Sequence, residues 1–334
     1  MKVCVLATSY PRHEDDVAGR FVADQVAGLR GGGVEVAVVS PNDFRDFGIA
    51  YGNGIVQNLR AKPWLVPLLP AFVAGYARAA KRAAADADLV HAHWIPSGAA
   101  ALATGKPYVL QVWGTDVELA RRIPALARPV VRGARAVVAA STFLAEAARG
   151  LGAQEVRVVP SGVAVPAHVG EPAEPPHVLY AGRLSEEKGI LEFVDATNGL
   201  PRVIVGDGPM RDRVPEATGF VSPAEIGGYY ERAAVVCIPS RREGYGMTAR
   251  EAMAHGRAVV ATAVGGLVDL EGDGVVLVPP RDVPALRAAV ERLLGDRDER
   301  ERLACAAQRR AREELSPAAT TERLRQMYVE VLSS

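Results

Sequence analysis

The sequence predicts an α/β protein with two doubly wound Rossmann-like domains, each built on a parallel sheet. Short apolar runs rich in β-branched residues alternate with alanine-rich helical stretches, and this alternation occurs twice along 334 residues. The strand candidates are apolar on both faces, which is typical of parallel strands covered by helices on both sides. A chain of this length has room for two domains that each bury a core.

The elements of each half follow from these runs. In the first half we predict strands at 2–7, 34–40, 88–93, 107–112 and 135–140, with helices at 18–30, 70–85, 97–104 and 141–149. In the second half we predict strands at 177–182, 202–206, 234–240, 257–262 and 274–279, again with helices between them.

The domain boundaries come from composition. Residues 160–177 are rich in proline and glycine and are predicted to form a linker. Ser316 and Pro317 fit the N-cap and first residue of a terminal helix, whose apolar stripe runs to Leu332. We therefore expect domains at 1–165 and 166–315, and a helix at 316–334 that packs back toward the first domain.

Charge and cysteine content argue against a nucleic-acid-binding protein, a disulfide-rich protein and a cysteine metal site. Basic and acidic residues both total 39; residues 1–165 carry a net charge of +5 and residues 166–334 a net charge of −5. Such a balance gives no reason to expect a nucleic-acid partner. Three scattered cysteines offer neither a disulfide framework nor metal-ligand spacing. The first apolar run is too short for a signal peptide, so we expect a cytoplasmic protein.

One segment, residues 62–84, is apolar at its start and basic at its end. The structural interpretation is a buried loop and a packed helix. The functional interpretation is a surface that meets an apolar acceptor or the inner face of a membrane. Pro67 and Pro70 exclude one continuous amphipathic helix through the whole segment.

The stretch REGYGMTAREAMAHG (242–256) contains two glutamates eight positions apart. Eight residues on one helix rise about 12 Å, so two such carboxylates could not hold one sugar ring from a single helix. We therefore place Glu243 in a loop, and Glu251 in the first turn of a helix that ends at Gly256.

Two interpretations of this stretch stay open on local rules. Thr248 and Glu251 have the T-x-x-E spacing of a capping box, and Glu243 then is a solvated loop charge. Alternatively, Gly244 and Gly246 bare the backbone before a helix N-terminus, where free N–H groups bind anions, and a carboxylate one turn in accepts ribose hydroxyls.

Motifs along nearly the whole chain resemble a known family. Residues 243–256, EGYGMTAREAMAHG, are similar to the E-x7-E signature of the retaining GT-B glycosyltransferases of family 4. The segments AGRLSEEKGI, VGDGP and AVGGL follow the family's order in the second half, and HAHWIPSG and VWGTDV follow it in the first. The resemblance implies a GT-B architecture, with the two domains facing a central cleft.

The resemblance implies roles for charged residues of the site. Arg183 and Lys188 are expected to bind the donor's diphosphate and stabilise it as it leaves. Glu251 is expected to hold the ribose hydroxyls, and Glu243 to face the donor sugar. His93 matches the position nearest the reacting carbon, either as a base or as a positioning group; without the resemblance, a hydrogen-bonded structural histidine is the simpler interpretation.

Further donor and acceptor positions carry over in the same way. Val221 lies where the family's backbone meets the base, and Gly19 where it approaches the phosphate. The loop before the second-half helix is expected near the sugar and phosphates, through Gly244, Gly246, Met247 and Thr248. The acceptor side is expected at Trp94, Trp113 and Asp116.

The sequence departs from the family pattern at three places. Trp113 stands where many relatives have histidine, which suggests an apolar wall. The first loop keeps only Gly19 of a glycine pair, and Asp269 stands where glutamate is usual. The D-x-D strings at 86–88 and 296–298 lie at a strand's amino end and in a helical stretch, so we interpret both as structural.

The function expected is a metal-independent retaining glycosyltransferase without a cofactor. It would move a sugar from a UDP- or GDP-linked donor to a hydroxyl of a glycan, a lipid-linked acceptor or a small molecule. The alternatives are a nucleotide-sugar epimerase or a phosphorylase on the same fold, and a homologue that binds nucleotide sugar without catalysis. A dehydrogenase is disfavoured because no G-x-G-x-x-G follows the first strand.

Overall fold

The computed structural model describes residues 1–13, 16, 18–51, 54–272 and 274–333. It divides into two compact units, Met1–Gly162 with Pro317–Ser334, and Val163–Ser316. Composition alone predicts a first boundary at residue 165. The boundary lies earlier because the Val163 side chain is buried in the core of the second unit, where its N–H donates to the Leu315 carbonyl.

The first unit is a six-stranded sheet with helices. In chain order its elements are β1 (Lys2–Ala7), α1 (Arg20–Gly31), β2 (Glu35–Val39), α2 (Ile55–Ala61), a 3₁₀ helix (Pro63–Leu68), α3 (Leu69–Ala83), β3 (Leu89–His93), α4 (Ile95–Thr104), β4 (Tyr108–Val112), α5 (Thr115–Arg122), α6 (Pro124–Gly133), β5 (Ala136–Ala139), α7 (Thr142–Gly150) and β6 (Val156–Val158).

All neighbouring strands in this sheet are parallel, in the order β2-β1-β3-β4-β5-β6. The chain moves outward from β1 to β2 and then crosses to the other side of β1, so the topological switch lies between β1 and β3. Their carboxyl ends meet where Ala7 pairs with His93. The five predicted strands are confirmed within one residue at each end, whereas β6, α2, α5 and α6 were missed.

The second unit repeats this design with five strands. Its elements are β7 (Val178–Ala181), a 3₁₀ helix (Glu186–Lys188), α8 (Ile190–Ala196), β8 (Arg202–Val205), a 3₁₀ helix (Arg211–Arg213), α9 (Ile226–Arg232), β9 (Val235–Ile238), α10 (Met247–Ala254), β10 (Ala258–Thr262), a 3₁₀ helix (Gly265–Leu270), β11 (Val275–Val278), α11 (Val283–Gly295), α12 (Arg297–Arg310) and a π-helical turn (Ala311–Leu315).

The strand order of the second sheet is β11-β10-β9-β7-β8, all parallel. Its switch lies between β7 and β9, because β8 is added on one side of β7 and β9 on the other. In open α/β sheets, ligands bind at the carboxyl ends of the strands beside such a switch. In the second unit such a site would lie at the loops after β7 and β9.

The last helix, α13 (Pro317–Ser333), belongs to the first unit. It packs beside α1, and Leu324, Met327 and Tyr328 are buried among residues of β1, α1 and β3. The helix begins at Pro317, as its sequence predicts.

The predicted linker at 160–177 contains neither helix nor strand. It is nevertheless not a free linker over its whole length. Besides the burial of Val163, the Arg257 guanidinium donates to the Gly170 carbonyl, and the Ala173 N–H donates to the Arg232 carbonyl. Most of this stretch therefore packs on the second unit.

Residues 62–84 fold as the 3₁₀ helix and α3, preceded by α2, rather than as one helix. Pro67 lies within the 3₁₀ helix and Pro70 at the start of α3, where its missing N–H is harmless. Within the described ranges, no helix is long and apolar enough to cross a membrane.

Candidate functional site

A small pocket opens at the switch point of the second sheet. Its walls are the end of β7, the end of β9 and the residues that follow them, namely Tyr180, Ala181, Gly182, Lys188, Cys237, Ile238, Pro239, Ser240, Glu243 and Thr248. Three of these, Lys188, Glu243 and Thr248, are residues that the sequence assigned to the donor site. The fold thus brings residues from two separate motifs to one edge of the sheet.

Lys188 and Glu243 form an ion pair in this pocket. The Lys188 Nζ lies 2.7 Å from Glu243 Oε2, and both side chains are partly buried, Glu243 more deeply. Partial burial reduces the screening of the pair by water. The pair therefore holds the ammonium of Lys188 and the carboxylate of Glu243 together in the wall of the pocket.

The loop after β7 is tied to the loop after β9 by several contacts. Gly189 takes a positive φ of 68°, and a Cβ there would stand 1.9 Å from the Pro239 carbonyl oxygen. The Arg241 N–H donates to the Glu187 carbonyl at 2.8 Å, and its guanidinium binds Glu192 at 2.5 Å. These contacts explain why residues 55 positions apart, Lys188 and Glu243, meet.

Glu243 is also held from the loop after β10. The Gly266 N–H donates to the Glu243 carbonyl at 3.1 Å. Gly265 has a φ of +51°, and a Cβ there would lie 1.8 Å from the same carbonyl oxygen. Glu243 thus lies in a loop, as predicted, and its backbone is fixed by the glycine turn of the AVGGL motif.

Of the two interpretations of Thr248 and Glu251, the capping box is wrong. Helix α10 begins at Met247, and its N-cap is Gly246 in the left-handed conformation, without a side-chain cap. Glu251 is therefore the fifth residue of the helix, beyond the first turn, and cannot reach back as an N3 residue does. The Thr248 hydroxyl instead donates to the Ala181 carbonyl at 3.3 Å, which ties α10 to the end of β7.

Glu251 is bonded by Tyr230, a residue that the sequence analysis did not select. The Tyr230 hydroxyl on α9 donates to Glu251 Oε2 at 2.7 Å. Burial raises the pKa of Glu251, while the Tyr230 hydrogen bond acts in the opposite direction. Burial, together with the neighbouring charge of Glu251, raises the pKa of Tyr230 well above its ordinary value, so the phenol remains the donor.

The end of α10 confirms the role predicted for Gly256. The Gly256 N–H donates to Met253 at 3.0 Å and the Arg257 N–H to Ala252 at 2.9 Å, with Gly256 at a φ of +61°. This is the Schellman arrangement of a helix that ends in a left-handed glycine.

Arg250 is a second residue that the sequence analysis missed. Only 2% of it is exposed, and its guanidinium donates to the carbonyls of Tyr245, Gly246 and Gly266 while stacking 3.6 Å from the Tyr245 ring centroid. It thus joins the loop after β9 to the glycine turn after β10. The sequence feature that could have identified Arg250 is a charged residue on the buried face of α10, three residues before Met253.

The remaining donor-side predictions lie around the same edge. Arg183 is exposed just after β7, where its carbonyl accepts a hydrogen bond from the Tyr180 hydroxyl at 2.8 Å. Val221 is partly buried on the core beside the exposed ring of Phe220. Gly244 and Gly246 lie in the loop between Glu243 and α10. Contact of these residues with a donor stays a prediction.

His93 lies at the carboxyl end of β3 in the first unit and is 1% exposed. Its ring stacks on Trp113, with centroids 5.9 Å apart, and on His91 at 4.5 Å. Burial, and then the neighbouring His91, lowers the pKa of His93 well below its ordinary value. The imidazole is therefore neutral at physiological pH, and within the described chain its Nδ1 has no hydrogen-bond partner.

Asp116 supports the backbone around His93 rather than presenting a free carboxylate. Its two oxygens accept the N–H groups of Trp113 at 3.0 Å, Gly114 at 3.0 Å and Ile95 at 3.2 Å. Trp94 precedes Ile95 at a φ of +67°, and Phe21 packs against the rings of both tryptophans. We therefore expect Asp116 to act on an acceptor only indirectly, by holding the backbone of Trp113 and of Ile95, the residue after Trp94.

Packing within the first unit explains why residue 19 is a glycine. It is the left-handed N-cap of α1, and a Cβ there would lie 2.2 Å from the Ser9 carbonyl oxygen. The close approach sets the Ser9 backbone against the start of α1. The position of Gly19 beside a phosphate stays a prediction.

The two D-x-D strings have structural partners, as predicted. Asp88 accepts the Lys2 N–H at 2.8 Å, at the amino end of β1. Asp296 caps α12 by accepting the Glu299 N–H at 2.9 Å. Both lie away from the carboxyl edges of the sheets.

Comparisons with known proteins cover both units. The family described as Glycosyltransferase Family 4 matches residues 18–165, and the family described as Glycosyl transferases group 1 matches residues 175–296. A D-inositol 3-phosphate glycosyltransferase of Xylanimonas cellulosilytica is 32% identical, over 73% of this chain and 72% of the relative.

Solved structures give the same fold. Sucrose-phosphate synthase from Thermosynechococcus elongatus superimposes with a TM-score of 0.81 at 21% identity, covering 99% of both chains. Anabaena Alr3699/HepE in complex with UDP-glucose superimposes with a TM-score of 0.72 at 19% identity, covering 99% of this chain and 100% of that one. At such identities the likeness establishes the two-sheet α/β fold.

Proposed function

Since the chain belongs to the group 1 and family 4 glycosyltransferases of GT-B fold, we propose that it transfers a sugar from a nucleotide-diphosphate sugar to a hydroxyl acceptor. The proposal extends to retention of the anomeric configuration and to chemistry without a metal ion. The observation that carries it is the Lys188–Glu243 pair at the switch point of the second sheet, with Glu251 on the adjoining helix.

A nucleotide-diphosphate donor suits the charges at this edge. Lys188 and the exposed Arg183 supply two cations beside β7, and negative charge develops on a diphosphate leaving group as the glycosidic bond breaks. Two protein cations can take the part that a divalent ion plays elsewhere, which is our reason to propose metal independence. The Anabaena Alr3699/HepE neighbour was solved with UDP and with UDP-glucose, which favours the same ligand class here.

Glu243 and Glu251 would contact different parts of the donor. Glu243 is already paired with Lys188, and a diphosphate that attracts the ammonium would leave this carboxylate free to accept sugar hydroxyls. Glu251 is partly buried and is oriented by Tyr230, which suits a ribose-binding carboxylate. On this basis we assign the second unit to the donor.

We assign the acceptor side to the first unit. His93 there is a neutral imidazole stacked on Trp113, so it can accept a hydrogen bond. Its position at a carboxyl end beside the switch of the first sheet favours a role near the reacting carbon. The tryptophans Trp94 and Trp113 offer apolar faces of the kind that stack on sugars.

The test is incubation with a panel of UDP- and GDP-linked sugars, each with and without hydroxyl acceptors. Nucleotide release that depends on acceptor supports transfer. An isomerised donor without acceptor would indicate an epimerase, phosphate-dependent cleavage a phosphorylase, and binding without turnover a non-catalytic homologue. The product's anomeric configuration, read by NMR, decides retention. Full activity in excess chelator supports metal independence, whereas loss restored by Mg²⁺ contradicts it.

A further inference from the structure

We propose that the first unit docks on an anionic lipid surface through an apolar tip formed by Trp64, Val66 and Val73, which basic residues flank along the chain. The tip lies on the 3₁₀ helix and the first turns of α3. These side chains are 68%, 49% and 52% exposed, and Pro63, Pro67, Pro70 and Ala71 around them are exposed as well. The proposal does not depend on the sugar-transfer reaction.

The tip is a formed structure and not a loose loop. Leu65 and Phe72 are buried beneath it with Ile49 and Ala50 in a small core of their own. Leu65 thus points inward while its neighbours Trp64 and Val66 point outward. Because the inward residues anchor the segment, the three outward apolar side chains are displayed without contributing to that core.

The charge along the segment that carries the tip is of one sign. Between Asp46 and Asp86 the sequence contains no acidic residue and five basic ones, Arg60, Lys62, Arg78, Lys81 and Arg82. None of the five forms an ion pair with any residue in the described ranges. The chain as a whole has zero net charge, so this run is a local excess of +5.

The cations stand where a membrane interface would need them. Arg60 and Lys62 lie four and two residues before Trp64. Lys81 lies eight residues beyond Val73 on α3, a rise of about 12 Å, and is exposed. An apolar tip that enters the headgroup boundary by about 5–10 Å would therefore leave these charges among the headgroups.

The positive charge of this segment favours an anionic lipid surface as the binding partner of the tip. A tryptophan at the rim of an apolar tip with lysine and arginine around it is typical of surfaces that lie on a bilayer. Each basic residue near an anionic surface contributes about 1 kcal/mol, which is about a fivefold change in partition. A second copy of this chain would bring the same +5 run to the contact, so self-association through this tip is disfavoured.

The experiment is vesicle flotation of the full chain at about 0.1 M and about 1 M salt, where screening lengths are ~10 and ~3 Å. The vesicles are phosphatidylcholine alone and phosphatidylcholine with about a quarter phosphatidylglycerol. We expect flotation with the anionic vesicles at low salt, on the order of tenfold stronger than with neutral vesicles, and its loss at high salt.

Substitutions distinguish binding through the tip from nonspecific adsorption of the protein to vesicles. Trp64→Ser should weaken flotation on the order of tenfold and Lys62→Gln about fivefold. The double variant Val66→Ser/Val73→Ser should also weaken it. Val329→Ser is the matched control: Val329 is 50% exposed but lies beside Glu330 on α13, and its loss should change nothing.

The tryptophan gives a second readout that does not depend on flotation. Addition of anionic vesicles should shift the emission to shorter wavelength in the wild type and in Val329→Ser, but not in Trp64→Ser. Equal binding to neutral vesicles, absence of vesicle binding, or an unchanged flotation of Val66→Ser/Val73→Ser with an altered oligomeric mass would each overturn the proposal.

Discussion

The Nζ atom of Lys188 lies 2.7 Å from Oε2 of Glu243, across the junction of β7 and β9. The two residues belong to different motifs, G-R-L-S-E-E-K-G and E-G-Y-G, and their contact depends on Gly189 resting against the Pro239 carbonyl. This pair is the centre of the candidate donor site.

We expect Glu243→Ala to lower turnover by on the order of a hundredfold while nucleotide affinity changes little. Removing the carboxylate leaves Lys188 free for the diphosphate, so UDP or GDP binding should be kept. Steady-state kinetics and calorimetric nucleotide binding measure the two quantities separately. Wild-type turnover in Glu243→Ala would remove Glu243 from the reaction.

Glu251 should control the pH dependence of nucleotide binding. Its pKa is raised by burial, so its acceptor form is lost as pH falls, and the loss should begin at a higher pH than for an ordinary glutamate. Tyr230→Phe removes the hydrogen bond that lowers this pKa and should move the acidic limit of binding upward. Glu251→Gln should remove the limit and weaken binding by about tenfold to a hundredfold. An unmoved limit in Tyr230→Phe would contradict the assignment.

Arg250→Met should destabilise the second unit by about 1–3 kcal/mol, because buried carbonyls of Tyr245, Gly246 and Gly266 lose their donor. Arg250→Lys keeps the charge but lacks the planar fork that spans two loops, so nucleotide affinity should still fall. Urea unfolding followed by circular dichroism and nucleotide binding are the measurements. The exposed Arg302→Met is the control; equal behaviour of the two methionine variants would show that the bridge is unimportant.

Gly265→Ala should reduce activity by more than the strain of placing an alanine at a positive φ explains. The added Cβ meets the Glu243 carbonyl oxygen, so the loop that presents Glu243 must shift. Gly199→Ala is a matched control, since Gly199 has a φ of +79° and an added Cβ there would meet no other described atom within 4 Å. Both variants carry the strain of an L-residue at a positive φ, about 1–2 kcal/mol, and only Gly265→Ala should lose turnover. Similar losses in both would point to strain alone.

The stability of the first unit should rise with pH up to the ordinary histidine pKa. Burial lowers the pKa of His91 to about 3 and that of His93 well below 6.5. Below pH 6.5 the unfolded chain therefore binds protons that the folded chain does not, and each histidine removes up to about 1.4 kcal/mol per pH unit. Above pH 6.5 the contribution is constant.

Tryptophan fluorescence can follow this unit alone, because all three tryptophans, Trp64, Trp94 and Trp113, lie in it. Urea titrations at about pH 7.5 and about pH 5.5 should show the loss in the wild type. The double variant His91→Gln/His93→Gln should show a smaller difference between the two pH values. A wild type equally stable at both would contradict the buried neutral state.

Much of the fold could be predicted from the sequence because it depends on local pattern. Strands such as 2–7 and 258–262 are apolar on both faces, and this identifies parallel strands wherever they lie. The short β6 and the helices α2, α5 and α6 were missed, since three to ten residues with mixed composition give little periodicity.

The site was predicted in part. The glutamates and Lys188 were found through motifs, and the removal of Glu243 from the helix followed from helix rise alone. Tyr230 and Arg250 were not found, because neither carries a local signal of its contact: Tyr230 reaches Glu251 from another helix, and Arg250 reaches Gly266, which lies 16 residues further along the chain.

The sequence by itself determined the α/β class, the two repeated halves, the family, and the loop position of Glu243. Only the tertiary structure decided that Glu251 bonds Tyr230 instead of capping its own helix, that Asp116 is used by backbone amides, and that Lys188 pairs with Glu243. The reason is physical: periodicity and turn chemistry act between near neighbours in the chain, whereas the partner of a polar side chain is whichever group the folded backbone brings within about 3 Å.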